Sequence, residues 1–195
     1  MTATSEIAPR RGRPPAASRE DVLAAALDSY LHGRRIDVRA IASDLGLGRT
    51  TIYRWFESRE GLVGEAIVLA AEPVFERARA EATGSGGAML LDTFDRINRS
   101  LAAASALRRF LELERDALRI LTSSAGVVQR SMVARVTSLI EDEARAGRYE
   151  PPVDPATLGY AIVRLAEAFL YNDADGLRGD VDRLCEVEAA LLGVT

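Results

Sequence analysis

The stretch from Asp37 to Phe56 limits the fold of this chain more tightly than any other, because it holds two apolar patterns too short to be stable alone. Val38, Ile41, Ala42 and Leu45 recur at helical spacing behind Asp37, a residue suited to capping a helix, and Gly46 suits the end of that helix. After Gly46-Leu47-Gly48 the pattern resumes with Ile52 and Phe56, one turn apart. Isolated helices below roughly 12–15 residues are marginal in water, so neighbours must hold both of these. The neighbours are legible. Ser18, with Asp21 three residues on, opens a helix whose apolar residues Val22, Ala25, Ala26, Tyr30 and Leu31 run up to Gly33. Ser58, with Glu60 nearby, opens a longer helix towards Ala82, and Pro73 inside it predicts a kink near Glu72.

Two short helices joined by a tight glycine-containing turn and buttressed by a third describe a helix-turn-helix unit, here over residues 18–64. The second helix of such a pair lies in the DNA major groove. With Ile52 and Phe56 turned inward, the outward residues are of the kind a groove requires. Arg49, Thr50 and Thr51 suit base edges, Tyr53 and Trp55 can donate to backbone oxygens, and Arg39 and Arg59 add phosphate charge. A plainer use of Trp55, as bulk at the boundary of a small core, stays open.

The charge distribution agrees. Residues 1–59 carry 10 Arg against 7 acidic residues, whereas residues 60–195 carry 15 against 22, so an acidic chain has a basic first third. That is the expectation if only this end meets a polyanion. Residues 1–17 lack periodicity, contain Pro9, Pro14 and Pro15, and read as a flexible basic arm. Within it, PRRGRPP resembles the core of an AT-hook, which would thread Arg11 and Arg13 along an A·T-rich minor groove; incidental charge on a disordered tail is the alternative.

TGSGGA at residues 83–88 is the clearest break in composition. Beyond it helical patterns cover about 89–104, 106–122, 126–146, 155–173 and 180–192, and no period-2 stretch suggests a strand. The expected fold is all-α, with about nine helices. In LGYAIVRLAEAFLY, Leu158, Ile162, Leu165 and Phe169 form one stripe and Val163, Ala166 and Leu170 another, so that helix is to be buried on two sides. The final helix carries Leu184, Val187, Ala190 and Leu191 on one side. Two copies of this pair would make a four-helix seam with two-fold symmetry, involving Val163, Arg164, Glu167, Leu170, Leu184, Val187 and Leu191. A monomeric core is the alternative.

At AIASDLGLGRTTIYRWFESREGL the chain resembles the DNA-binding domain of TetR-family transcriptional regulators across residues 18–67. The resemblance puts the family's base-proximal positions on Arg49, Thr50 and Thr51, its phosphate-binding tyrosine on Tyr53, and the basic residue opening its fourth helix on Arg59. Trp55 stands where the family commonly has His, and Arg59 where Lys is commoner. FLELERDALRILTSSAGVVQ and PPVDPATLGYAIVRLAEAFLYND are similar to the effector domain of QsdR-type members of that family.

The resemblance implies that residues 65–195 dimerise and receive a small-molecule effector. Candidate pocket residues, facing between helices, are Phe94, Ile97, Leu101, Phe110, Leu113, Leu121, Val128, Met132, Val136, Ile162 and Phe169, although an ordinary core would use the same residues. Arg164 and Glu167 could orient a ligand or form a partly buried pair at the seam. The expected function is a homodimeric repressor released from a palindromic double-stranded operator by a small hydrophobic ligand, as the fourth helix swings about Pro73. An effector-independent regulator or activator is the alternative, and a helical enzyme a remote one. His32 reads as a helix-terminus residue, and Cys185 has no second thiol or neighbouring His, so no catalytic residue, metal or cofactor is expected. The lone thiol, the lack of a signal-like apolar run and a longest apolar run of AIVLAA point to a cytoplasmic protein that does not enter a membrane.

Overall fold

The computed structural model describes residues 17–171 and 179–194, which form ten α-helices and no strand. They are α1 (Arg19–Leu31), α2 (Val38–Asp44), α3 (Arg49–Phe56), α4 (Arg59–Glu81), α5 (Gly86–Ala103), α6 (Ser105–Leu113), α7 (Ala117–Thr122), α8 (Val127–Arg145), α9 (Pro155–Tyr171) and α10 (Val181–Leu192). None of the described helices is long and apolar enough to cross a membrane.

Local chemistry sets the first four. Ser18 and Asp21 form a reciprocal capping box on α1, Asp37 accepts from the Arg39 and Ala40 amides, and Ser58 accepts from the Gly61 amide. The α2–α3 turn is a Schellman closure: the Leu47 amide donates to Ala42 at 2.8 Å and the Gly46 amide to Ser43 at 3.2 Å. Gly46 takes φ +65°, a conformation that a Cβ penalises. The α3–α4 turn is tighter still, with Glu57 at φ +63° between Phe56 and Ser58.

Helix α4 runs unbroken through Pro73 and joins two apolar clusters. Its first half, with Leu62, Val63, Ala66 and Ile67, packs on Val22, Ala26, Ile41, Ile52 and Phe56 of α1–α3, and this cluster takes in Leu107, Ile120, Leu121 and Val128 from α6–α8. Its second half, with Ala71, Phe75 and Ala78, packs on α5, α8, α9 and α10. Helices α8 and α9 approach closely at Gly159, where a Cβ would sit 2.4 Å from Thr137 Oγ1.

Two expected boundaries move. The fifth helix starts at Gly86, whose amide donates to the buried Glu143 carboxylate at 3.0 Å. The single helix expected over 106–122 is two, α6 and α7, which raises the count from about nine to ten. The break falls at Glu114, which leaves helical geometry and turns its carboxylate inward to Arg59, 2.6 Å away. A long-range ion pair overrides the local helical pattern there.

Candidate nucleic-acid interface and interior cavity

Helix α3 is fixed from beneath. Ile52 and Phe56 are buried, each worth ~1.5–3 kcal/mol of apolar burial. The Arg19 guanidinium lies 4.4 Å over the Phe56 ring and pairs with Glu65, tying α1, α3 and α4 together. On the opposite side Arg49, Thr50, Tyr53 and Arg54 are exposed and Thr51 is half-buried. Gly48 supplies no side-chain cap to α3, which leaves its first amides directed outward as a partial positive charge.

The charge around α3 is concentrated. Arg35, Arg39, Arg49, Tyr53 and Arg59 surround one surface depression in which Asp37 is the single carboxylate. Asp37 is occupied in capping α2, and the Arg39 and Ala40 amides hold its carboxyl below the usual range. Arg39, Arg49 and Arg54 make no ion pair among the described residues. Arg59 differs from expectation. It is largely buried, donating to the Ile36 carbonyl at 3.2 Å and to Glu114 at 2.6 Å, so its charge is already matched inside the protein. Burial pushes Glu114 up, but the Arg59 hydrogen bond and the charges of Arg59 and Arg35 outweigh it and hold the carboxyl low. Arg35, which sequence reasoning missed, stands at the same depression; its signal is its place just before the α2 cap. Trp55 sits at the boundary, half-buried against the core. Arg11 and Arg13 lie outside the described residues.

A second site lies between α4, α5, α7, α8, α9 and α10. This is a narrow cavity of about 50 Å³ that opens towards the surface. Phe94, Ile97, Leu101, Leu121, Val128, Met132, Val136 and Ile162, all named from the sequence, line it, and so does Phe75, which was not. Phe110 and Leu113 do not. They lie by Gly33 and Ile36, where the Phe110 ring meets Tyr30 edge-on at 5.9 Å, because α6 packs on α1. Phe169 is buried but does not reach the cavity.

The residues expected at a seam divide. Val163, Glu167 and Leu170 line the cavity, because the second stripe of α9 turns inward, and Leu184 of α10 is fully buried in its own chain. Arg164 reaches over the surface to Glu167 at 2.8 Å and to the Thr122 carbonyl at 2.9 Å. Val187 and Leu191 keep outward or partly outward positions on α10, and Tyr160 stands exposed on α9.

Besides the Tyr171 hydroxyl, three polar side chains, Glu167, Glu188 and Asn98, reach this apolar wall, and sequence reasoning missed the last two. Glu188 is 0 % exposed and Asn98 4 %, with the Asn98 amide donating to both Glu188 oxygens at 3.1 Å. Burial pushes the Glu188 carboxyl up to about 7, the nearby Asp95 charge adds to this, and Asn98 opposes it. Glu167 is also raised by burial, against the Arg164 charge. The signal for Glu188 was its place in the Val181, Leu184, Leu192 stripe, where a carboxylate interrupts helical apolar spacing. His32 ends α1 near the Asp28 carbonyl, Cys185 is half-buried, and among the described residues no group of His, Cys, Asp and Glu could hold a metal.

The comparisons with known proteins fit this geometry. The sequence profile described as "Tetracyclin repressor-like, C-terminal domain" matches residues 85–193. The structure is similar to the transcriptional repressor QsdR of R. erythropolis, with 28% identity, a TM-score of 0.83, and coverage of 91% of this chain and 95% of that one. It also has the fold of the repressor AlkX of Dietzia sp. strain DQ12-45-1b, with 20% identity, a TM-score of 0.61, and coverage of 91% and 96%. No curated protein matches by sequence.

Proposed function

Since the chain belongs to the TetR family of DNA-binding transcriptional regulators, we propose that it is a homodimeric repressor which a small apolar ligand releases from a palindromic operator. Arg49, Thr50 and Thr51 enter the major groove and read base edges, while Tyr53, Arg39 and Arg35 hold flanking phosphates around the depression beside α3. Arg59 acts from inside, fixing the start of α4 to Glu114. Arg11 and Arg13 extend the contact into the minor groove.

The pairing surface of this proposal is the outer side of α9 and α10. Tyr160, 48 % exposed, and Val187, 38 % exposed, are large apolar residues left uncovered there, beside Leu191 and Arg164. A two-fold axis through this surface would present two copies of α3 to two half-sites. Catalysis has no place in this reading, and the regulator works in the cytoplasm, where its operator lies.

The observation that carries the release step is shared packing. Leu121 and Val128 line the cavity, and both belong to the apolar cluster that also contains Ile52 and Phe56 beneath α3. A ligand that moves Leu121 therefore disturbs the packing under the DNA-reading helix, and it shifts the equilibrium only as far as it favours one arrangement over the other. Fluorescence anisotropy of the DNA upstream of the gene, with and without ligand, tests this. Release by a ligand at saturating DNA supports it; binding that no cavity ligand alters leaves a constitutive DNA-binding protein.

A further inference from the structure

The polar content of the cavity is one-sided. Among the described residues its lining holds two carboxyl groups, Glu167 and Glu188, one amide, Asn98, and one phenol, Tyr171, but no Arg and no His. Glu167 is matched by Arg164 from the surface. Among the described residues Glu188 has no such partner. Arg99, the next residue on the facing helix α5, pairs with Asp95 at 2.8 Å and Asp182 at 2.6 Å, and among the described residues Asn98 alone hydrogen-bonds to the fully buried Glu188 carboxyl. Behind it, Asp95 adds negative charge and carries one buried oxygen, Oδ1, without a hydrogen-bond partner.

From this arrangement we infer that the cavity selects a lipophilic cation: a molecule with an apolar body, seated among Phe75, Phe94, Met132 and Ile162, and a protonated amine directed at Glu188 and Asn98. The inference rests on the reading of this cavity as the effector site. Its physics is a matter of desolvation. An ammonium group taken out of water is tolerated only beside a buried counter-charge that also accepts its hydrogen bonds, and Glu188 is placed to be that group. A carboxylate or phosphate head would meet two acids and, among the described residues, no cation, with only the Asn98 amide and the Tyr171 hydroxyl as donors to replace its water. A neutral alcohol would hydrogen-bond without the charge. Near neutral pH the Glu188 carboxyl, raised to about 7, ionises at little cost when a cation arrives.

Three ligands of one apolar body separate these cases: decylammonium, 1-decanol and decanoate, each titrated calorimetrically into the full-length chain at pH 7.5, below its aggregation range. The expected order is decylammonium first, by about 30-fold or more over decanoate, the scale of a buried hydrogen-bonded charge pair. Glu188→Gln brings decylammonium down to the level of 1-decanol. An order with decanoate or 1-decanol equal to or ahead of decylammonium overturns the inference, and this comparison needs no variant. Anisotropy of bound operator DNA with the same three ligands keeps the two readings apart. If decylammonium binds best yet leaves DNA bound, the ligand class stands and the release proposal fails. If decanoate or 1-decanol releases DNA in its place, release stands and the ligand class fails.

Discussion

Replacing Glu188 by Gln should stabilise this protein, and by an amount that depends on pH. Glu188 is fully buried and, among the described residues, hydrogen-bonds only to the neutral Asn98 amide, while Asp95 adds repulsion. Its carboxyl is therefore raised from 4.5 to about 7. Between those two values the folded chain keeps a proton that the unfolded chain has released, so unfolding loses a proton and stability falls as pH rises. Below about 4.5 the penalty is absent, and above about 7 it is complete. At ~1.4 kcal/mol per pKa unit, the full penalty is about 3 kcal/mol. Gln cannot ionise and is nearly the shape of the protonated acid, and Asn98 can turn its amide to suit it. Urea unfolding of both proteins at pH 5 and pH 8, at one protein concentration, gives the difference of differences, in which the carboxyls of Asp142, Glu143 and Glu114, all held low, cancel. The variant should gain little at pH 5 and about 3 kcal/mol at pH 8. Equal changes with pH in the two proteins would refute the account of Glu188 as an unmatched buried acid.

Other substitutions test other links. Glu114→Gln leaves the largely buried Arg59 without its counter-charge and should cost ~3 kcal/mol in urea unfolding, with a lower affinity for operator DNA; an unchanged unfolding midpoint would remove Glu114 from the account. Arg49→Ala should relax base preference at one position of each half-site, at ~1–3 kcal/mol, whereas Arg39→Ala should weaken all duplexes alike and reduce the salt slope by about one per half-site. Removing residues 1–17 should lower operator affinity and flatten its salt dependence; the same affinity and slope without the arm would exclude minor-groove contact by Arg11 and Arg13.

How much of this was legible in the sequence depended on how local the cause was. The head could be read because each decision there is made within a few residues: Ser18 with Asp21, Asp37 on its two amides, Gly46 in its turn, and Ile52 and Phe56 one turn apart. The break at Glu114 could not, because its cause is Arg59, far away in the chain. The facing of α9 was ambiguous for a different reason. A helix apolar on two sides does not say which side meets its own domain, and Val163 and Leu170 turned towards the cavity while Tyr160 was left outside. Phe110 had the same difficulty, since helical spacing placed it inward without saying that Tyr30 would be its partner. The Asn98–Glu188 pair lay in view as polar residues on apolar stripes, but only the fold brings α5 against α10.

The central claim is that α3 reads DNA and does so in two symmetric copies. Selection of binding sites from a pool of random duplexes, carried out with the full-length chain and repeated with Thr50→Ala and Arg49→Ala, tests both halves of it at once. The account predicts an enriched inverted repeat whose half-site centres lie about one helical turn or a multiple of it apart, with the preference in both half-sites altered in the two variants. Enrichment of a single unrepeated site, or an inverted repeat read identically by both variants, would contradict it.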